Sequence, residues 1–487
     1  MFKSSILVML IIMISRILGL VRASLIAYFF GASEMTDAYN SAFKISNFFR
    51  QLLGEGALGT SFIPIYNDKI NKHGHDSGKE LIFSILNLIF LFSTVITLLM
   101  IVFSKEIIAV TVSGFTPETK ELASQLLKIM STYFIFISLS GMICAILNNF
   151  KKFLIPASTS IFFNLAIIGG AYYHGKTAIG IKALAYGVVI GGILQLLVVL
   201  PSFFGIVKGY SFKIDFKDPY LKKIFMLIIP MLVGIVARQV NTIVDQQFGS
   251  FLNVGGVTAL ENATRLYLLP IGVFGISIST VIFPTLSKAA SQNNLIAVKK
   301  NLCKGLNILL FLVIPSTFVL TFYAKDIVQI TLGYGKFGNE AILITSNTLL
   351  FYSLGLYFYT SIHLLTRAFY SMKNSKDPVV FSIISIIVNI TLNFLLIKPM
   401  AHMGLALSTS IASAINFTLL FIVFRKKYVD IPILSTFIFF LKVSLCSIAA
   451  LIASYFVKNT MLKLSIFSAV YMVFWAKALI KNKMDVF

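Results

Sequence analysis

Fourteen long apolar runs, parted by short polar breaks, dominate the sequence: 5–30, 36–65, 81–104, 122–147, 156–174, 180–206, 221–247, 255–287, 302–323, 340–366, 378–397, 403–424, 432–456 and 461–480. About 20 predominantly apolar residues are needed to cross a bilayer as a helix. Within hydrocarbon only helices and closed barrels satisfy every backbone polar group. These runs are continuous rather than alternating, which excludes a barrel. The expected fold is an all-α polytopic membrane protein of fourteen transmembrane helices. Charged residues make up only 12% of the chain and the mean hydropathy is +0.90, so a soluble enzyme, with roughly 25% charged residues, is excluded.

The net charge is +23, from 41 Lys+Arg against 18 Asp+Glu. In a soluble chain that balance would point to nucleic acid. Here it reads as basic loops held on the cytoplasmic side, and no nucleic-acid partner is expected. With the runs taken as alternating crossings, 24 Lys and Arg fall in loops or at run ends on one side and nine on the other. That bias places both termini in the cytoplasm. The first run continues past Arg16 without a small-residue cleavage site, so it reads as a permanent span rather than a removable signal. Cys144, Cys303 and Cys446 lie far apart in apolar stretches and form neither a disulfide framework nor a zinc spacing.

The chain repeats itself at an offset of about 222 residues. Arg16 corresponds to Arg238, Pro156 to Pro378, Ala183-Leu184 to Ala406-Leu407, and Phe62-Ile63-Pro64 to Ile282-Phe283-Pro284 at a slightly shorter offset. Six spans per repeat is an even number, so the halves run parallel, and the interface of such repeats is the usual transport site. The expected division is 1–206 and 207–427 as two six-helix lobes, with 428–487 as two extra helices.

Ionisable groups inside the hydrocarbon are costly unless they face protein or water. The first run carries Arg16 and Arg22, with Ser15, Gly19 and Arg22 on one helical face. In the second, Asp37, Asn40, Lys44, Asn47, Gln51 and Glu55 fall within roughly an 80° arc, with Arg50 about 60° outside it. Gly54-Glu55-Gly56 points to a helix irregularity around a buried acid. The eighth run adds Glu261 and Arg265 at i, i+4. The bland reading of any one arginine is snorkelling toward headgroups. Together Arg16, Arg22, Lys44, Arg50 and Arg265 outnumber Asp37, Glu55 and Glu261, a balance suited to an anionic headgroup. Arginine's planar fork binds phosphate oxygens in pairs.

The second half carries a different polar set. Asp245, Asn389, Asn393 and Thr409 offer one carboxylate with amide and hydroxyl oxygens, which suits a hard monovalent cation such as Na⁺; ordinary interhelical hydrogen bonding is the equal alternative. The sequence holds no Walker loop, no G-x-S-x-G and no metal motif. A transporter rather than an enzyme is expected, driven by an ion gradient, the membrane potential or the substrate's own gradient.

Ser15-Arg16-Ile17-Leu18-Gly19-Leu20-Val21-Arg22, Phe30-Gly31-Ala32, Thr36-Asp37-Ala38-Tyr39 and Ala42-Phe43-Lys44 through Asn47, Arg50, Glu55-Gly56-Ala57 and Phe62-Ile63-Pro64 resemble the opening of MurJ (MviN) lipid II flippases. Asn241-Thr242-Ile243-Val244-Asp245, Arg265-Leu266 and Phe283-Pro284-Thr285-Leu286-Ser287 extend the resemblance to the seventh and eighth runs. It implies the fold of the multidrug/oligosaccharidyl-lipid/polysaccharide exporter superfamily. It further implies a bacterial plasma membrane location and transfer of lipid-linked peptidoglycan precursor to the outer leaflet, with membrane lipids and cell-wall synthesis proteins as neighbours. On the same ground Arg16, Arg22, Asp37, Arg50 and Arg265 are the essential charges, with Lys44, Asn47 and Glu55 in their cavity. Asp245, Asn389, Asn393 and Thr409 are the sodium set, and the last two spans hold the polyprenyl tail. Ala23 and Thr264 stand where many members have acid or amide groups, which makes the site more cationic, with Glu261 as partial compensation. Asn393 stands where some members have an acid. Flipping of another polyprenyl-diphosphate-linked oligosaccharide is the alternative; multidrug extrusion fits a cationic cavity less well.

Overall fold

A computed structural model describes residues 2–53, 57–173 and 179–480; within these, side chains are described outside 2–6, 49, 52–53, 57–60, 229–238 and 477–480. All regular structure among the described residues is helical, with no strand among them. The helices are α1 (Phe2–Phe30), α2 (Glu34–Leu53), α3 (Ala57–Val102), α4 (Ser104–Thr111), α5 (Pro117–Ser131), α6 (Tyr133–Asn149), α7 (Leu154–Tyr173), α8 (Lys182–Phe204) and α9 (Pro219–Gly249). Then follow α10 (Gly256–Pro270), a π-helical turn (Ile271–Ile276), α11 (Ser277–Ser291), α12 (Leu295–Phe322), α13 (Ala324–Leu332), α14 (Asn339–Leu354), α15 (Leu356–Ser371), α16 (Lys376–Lys427), α17 (Ile433–Tyr455) and α18 (Thr460–Ile480).

Among the described residues nine helices are long and apolar enough to cross a membrane, or ten when α14 and α15, bent by 44°, count as one span. Two of the nine are broken: α3, which holds residues 57–65 of the second expected run and nearly all of the third, breaks at Gly74 (φ 81°), and α16, which holds the eleventh and twelfth, breaks at Ala401 (φ 48°). The fourth run is α5 with α6, and the eighth is α10 with α11. Gly54-Glu55-Gly56, where an irregularity is expected, lies outside the described residues.

The chain forms two compact units: residues 1–258 with 334–337, and residues 259–333 with 338–487. By packing, the first unit therefore runs past the sequence division at 206, because α9 lies against α2, α3 and α4. In this unit α7 packs on α1 and α8, α6 on α3 and α8, and α5 on α2. The α7–α8 crossing is close because it is lined by glycine: a Cβ at Gly170 would lie 2.5 Å from the Ala183 carbonyl oxygen. Small residues are what let membrane helices approach this way, since lipid tails give no hydrophobic drive between helices.

In the second unit α15 and α14 pack on α16, and α12 packs on α11 and α17. The last two helices are anchored through aromatic groups. Trp475 stands edge-on to Phe311 and Phe439, with ring centroids at 5.3 and 5.6 Å. Tyr471 donates to the Phe311 carbonyl at 2.7 Å, and Lys463 pairs with Asp326 at 2.5 Å.

The internal repeat reaches features that the apolar pattern does not show. Ser104-Lys105-Glu106-Ile107-Ile108 in α4 matches Ala324-Lys325-Asp326-Ile327-Val328 in α13, and both are short helices directly after a long one. Lys151 (φ 59°) and Lys373 (φ 57°) both adopt the left-handed conformation past a helix end. In each case the next residue donates back five positions, Lys152 to Leu147 at 2.9 Å and Asn374 to Phe369 at 3.0 Å. This is the Schellman closure of a helix C-terminus, made without glycine at both repeat positions.

Candidate functional site

Within the first unit, the face of α1 bearing Ser15, Gly19 and Arg22 packs on α7. Asn164 donates to the Ser15 carbonyl at 3.1 Å. About two turns further on, the Arg22 guanidinium lies against the rings of Phe43 and Phe163, 5.9 and 5.8 Å from their centroids. Aromatic faces offset part of a guanidinium's desolvation and fix its plane. Arg16, about 100° around the helix, is exposed on the surface of this chain.

The polar stripe of α2 divides into three parts. At its start Asp37 is buried, 3% exposed. Its carboxylate accepts from the Gly255 N–H at 2.7 Å, the Thr258 N–H at 2.8 Å and the Thr258 hydroxyl at 2.6 Å. Asn40 donates to the same hydroxyl at 3.2 Å. These N–H groups open α10, so Asp37 caps a helix that begins 218 or more residues away in sequence. A carboxylate at a helix N-terminus is favoured by both orphan donors and the helix dipole. In the middle Lys44, Asn47 and Arg50 are half-buried, and Arg50 Nε donates to Asn47 Oδ1 at 2.5 Å. At its end Gln51 accepts from Gln239 of α9. Glu55 lies outside the described residues.

In the second unit, Arg265 Nε stands 3.3 Å from Glu261 Oε1, with both side chains half-buried. The pair lies one turn before Pro270 and the π-helical turn at Ile271–Ile276. Proline removes one helical donor, and an extra residue in the ladder is a usual local adjustment near functional sites.

The expected cation set falls in both units. In the second, Asn389 and Asn393 are 2% and 0% exposed. Asn393 Nδ2 donates to Asn389 Oδ1 at 3.2 Å, Asn389 Nδ2 to Thr409 Oγ1 at 3.4 Å, and Thr409 to the Leu405 carbonyl at 3.1 Å. Amide and hydroxyl oxygens thus gather at one buried point where the two arms of α16 meet. They are hard, neutral donors of the kind Na⁺ accepts, and their mutual bonds also serve as interhelical hydrogen bonds. Asp245 belongs to the first unit, where Asn241 donates to it at 3.3 Å. No group of three or more His, Cys, Asp or Glu is gathered among the described residues.

The sequence pattern gives Phe43 no role beyond its place in the resemblance and does not single out Phe163, Asn164 or Thr258. Asn164 was visible as an amide in an apolar run; Thr258, just after Gly255-Gly256, carried the mark of a helix start.

The family profile described as lipid II flippase MurJ matches residues 26–475. A probable lipid II flippase MurJ of Buchnera aphidicola subsp. Acyrthosiphon pisum (strain APS) is 35% identical over 465 residues, covering 95% of this chain and 91% of that protein. A solved lipid II flippase MurJ in an inward closed conformation superposes with a TM-score of 0.85 at 32% identity, over 98% of this chain and 99% of the other. An inward-facing multidrug resistance MATE transporter of the MOP superfamily gives a TM-score of 0.75 at 12% identity, covering 87% of this chain and 97% of its own, and so shares the fold alone. With a family match across nearly its whole length, this chain belongs to the MurJ lipid II flippase family.

Proposed function

We propose that this chain is a lipid II flippase. It moves the undecaprenyl-diphosphate-linked peptidoglycan precursor from the cytoplasmic to the outer leaflet of the bacterial plasma membrane by alternating access. Both termini face the cytoplasm, as the loop charges require. The observation that carries this reading is the pair of held guanidinium groups in the first unit. Arg22 is fixed by two aromatic rings and Arg50 by Asn47. An arginine held in one orientation before its ligand arrives loses less freedom on binding a diphosphate. Arg16 and Lys44 add to the cations of the first unit that recognise the headgroup, and Arg265 beside Glu261 supplies the second unit's own cation. The two C-terminal helices hold the polyprenyl tail, and cell-wall synthesis proteins take the product. Na⁺, accepted by the oxygens of Asn389, Asn393 and Thr409, couples the cycle to the ion gradient, and Asp245 of the first unit is the carboxylate that coupling depends on.

Expression of this chain in a bacterium depleted of its own flippase tests the proposal. Growth and lipid II in the outer leaflet should both return. Growth without outer-leaflet lipid II, or neither, refutes it. In the same strain Arg22→Ala and Arg50→Ala should each abolish rescue while the protein still reaches the membrane. Normal growth on either variant at native expression removes that residue from the site.

A further inference from the structure

On the side that the loop charges assign to the cytoplasm, the first unit holds a cavity of about 400 Å³ between α3 and the linker from α8 to α9. Volumes of roughly 300–1,000 Å³ are typical of small-molecule sites. The linker is pinned to α3. Asn87 Nδ2 donates to the Ser211 and Lys213 carbonyls, both at 3.1 Å, and the Tyr210 hydroxyl donates to Asn87 Oδ1. The Asp215 N–H donates to Ser84 Oγ at 3.3 Å. Ser84 and Asn87 stand about 5 and 9 Å past the start of the apolar run 81–104, at 1.5 Å per residue. The linker is therefore level with the first two turns of a membrane span, where headgroups meet acyl chains. It carries Phe212 and Phe216, 64% and 72% exposed, each followed by a lysine, Lys213 and Lys217. Basic and aromatic side chains side by side mark a segment that lies in the interface.

The charges here differ in how they pair. Lys69 pairs with Asp218 at 2.6 Å, with both side chains buried, and close by Lys72 pairs with Asp68 and Lys79 with Asp76, each at 2.8 Å. Glu80, Lys213, Asp215 and Lys217 also line the cavity, yet among the described residues none of these four forms an ion pair. All four are exposed, so a molecule in the cavity can reach them. Two cations and two carboxylates unmatched in one cavity suit a ligand of both signs, an anion for the lysines and a hydrogen-bonding cation for the carboxylates. Tyr220, on the same wall, offers no aromatic cage for a quaternary ammonium. The Lys69 and Lys223 ammonium groups already stand 5.7 and 5.1 Å from its ring centroid. The cation is therefore a primary ammonium, which donates to carboxylates as a choline cannot.

We infer that this cavity binds the headgroup of an ethanolamine phospholipid of the cytoplasmic leaflet. Its phosphate lies on Lys213 and Lys217, its ammonium on Glu80 and Asp215, and its acyl chains against Phe212 and Phe216. The bound lipid ties the α8–α9 linker to α3 at the membrane surface. Neither Arg22 nor Arg50 lines this cavity, so the lipid does not compete for the cations assigned to lipid II.

The purified full chain, stripped of lipid in detergent, is titrated with dioleoyl phosphatidylethanolamine, phosphatidylcholine and phosphatidylglycerol, and bound lipid is counted by native mass spectrometry. Wild type should hold one phosphatidylethanolamine about five- to tenfold more tightly than either of the others, the worth of one hydrogen bond. Glu80→Gln with Asp215→Asn removes both negative charges, and an amide oxygen can still accept from the Lys217 N–H as Asp215 does at 3.0 Å. This double variant should lose the preference over phosphatidylcholine. Lys213→Gln with Lys217→Gln should weaken all three lipids severalfold. The wild-type comparison needs no variant to fold. Equal binding of phosphatidylethanolamine and phosphatidylcholine by wild type overturns the proposal, as does a preference that survives the loss of both carboxylates. Tighter binding of phosphatidylglycerol makes the linker a basic anchor without a headgroup site and overturns it too. None of these readouts involves transport, so failure here leaves the flippase reading untouched.

Discussion

Asp37 shows what a single residue in the stripe of α2 does. The sequence marks it as one acid among several polar groups on one helical face, and from that alone it reads as a cavity residue. Its neighbours are instead the first donors of α10, contributed by Gly255 and Thr258. No local pattern around Asp37 reveals partners more than two hundred residues away, whereas the arc holding Asn40, Lys44 and Asn47 follows directly from the 3.6-residue period. Arg22 was legible for the same reason, but the two rings that hold it were not, because aromatic residues fill every span of such a chain. The cap has a measurable consequence. Asp37→Ala leaves buried donors at a helix start without an acceptor, at a cost of about 1–3 kcal/mol. The purified variant should therefore melt earlier than wild type, with Asp37→Asn between the two since its amide oxygen still accepts. Equal melting of all three proteins would show that the cap contributes nothing.

At the scale of elements, apolar length located the membrane helices and passed over their breaks. The pairs α5–α6 and α14–α15, the π-helical turn after Pro270 and the short helices α4 and α13 all sit inside or beside runs that read as uninterrupted. Hydropathy averages over such features; the repeat recovers some of them, as the matching Lys105-Glu106-Ile107 and Lys325-Asp326-Ile327 segments show. One connection is tightly constrained. Between α13 and α14 the Lys336 N–H donates to the Tyr28 carbonyl at 2.8 Å. The adjacent Gly335 has φ 61°, and a Cβ there would lie 2.4 Å from the same carbonyl oxygen. Gly335→Ala meets both a left-handed backbone and a backbone clash. Strain of this kind costs about 1–3 kcal/mol before the clash is added. The variant should show a lower melting temperature and faster proteolysis at this loop; a melting temperature unchanged from wild type would mean the loop relaxes freely away from α1.

For the molecule as a whole the cycle needs a driving force, and the sequence encodes no nucleotide motif. Sodium coupling makes a definite demand. Binding must favour one conformation over the other, because a ligand shifts an equilibrium only by its difference in affinity. The hydrogen-bonded string Asn393–Asn389–Thr409 joins the two arms of α16 and would be rearranged by an ion that takes its oxygens. Asp245→Asn removes the carboxylate expected in the set, so flipping should lose its dependence on sodium and slow down, while binding of a prenyl diphosphate to the arginines persists. The membrane potential makes a different demand. Outward movement of an anionic headgroup across an inside-negative membrane is favoured by about 2.3 kcal/mol per charge per 100 mV, with no ion site required. Proteoliposomes in which the sodium gradient and the potential are imposed separately distinguish the two. Under sodium coupling, the gradient at zero potential should drive flipping in wild type and fail to do so in Asp245→Asn. A wild-type rate that ignores sodium and follows the potential would reduce the Asn389–Asn393–Thr409 string to interhelical hydrogen bonding.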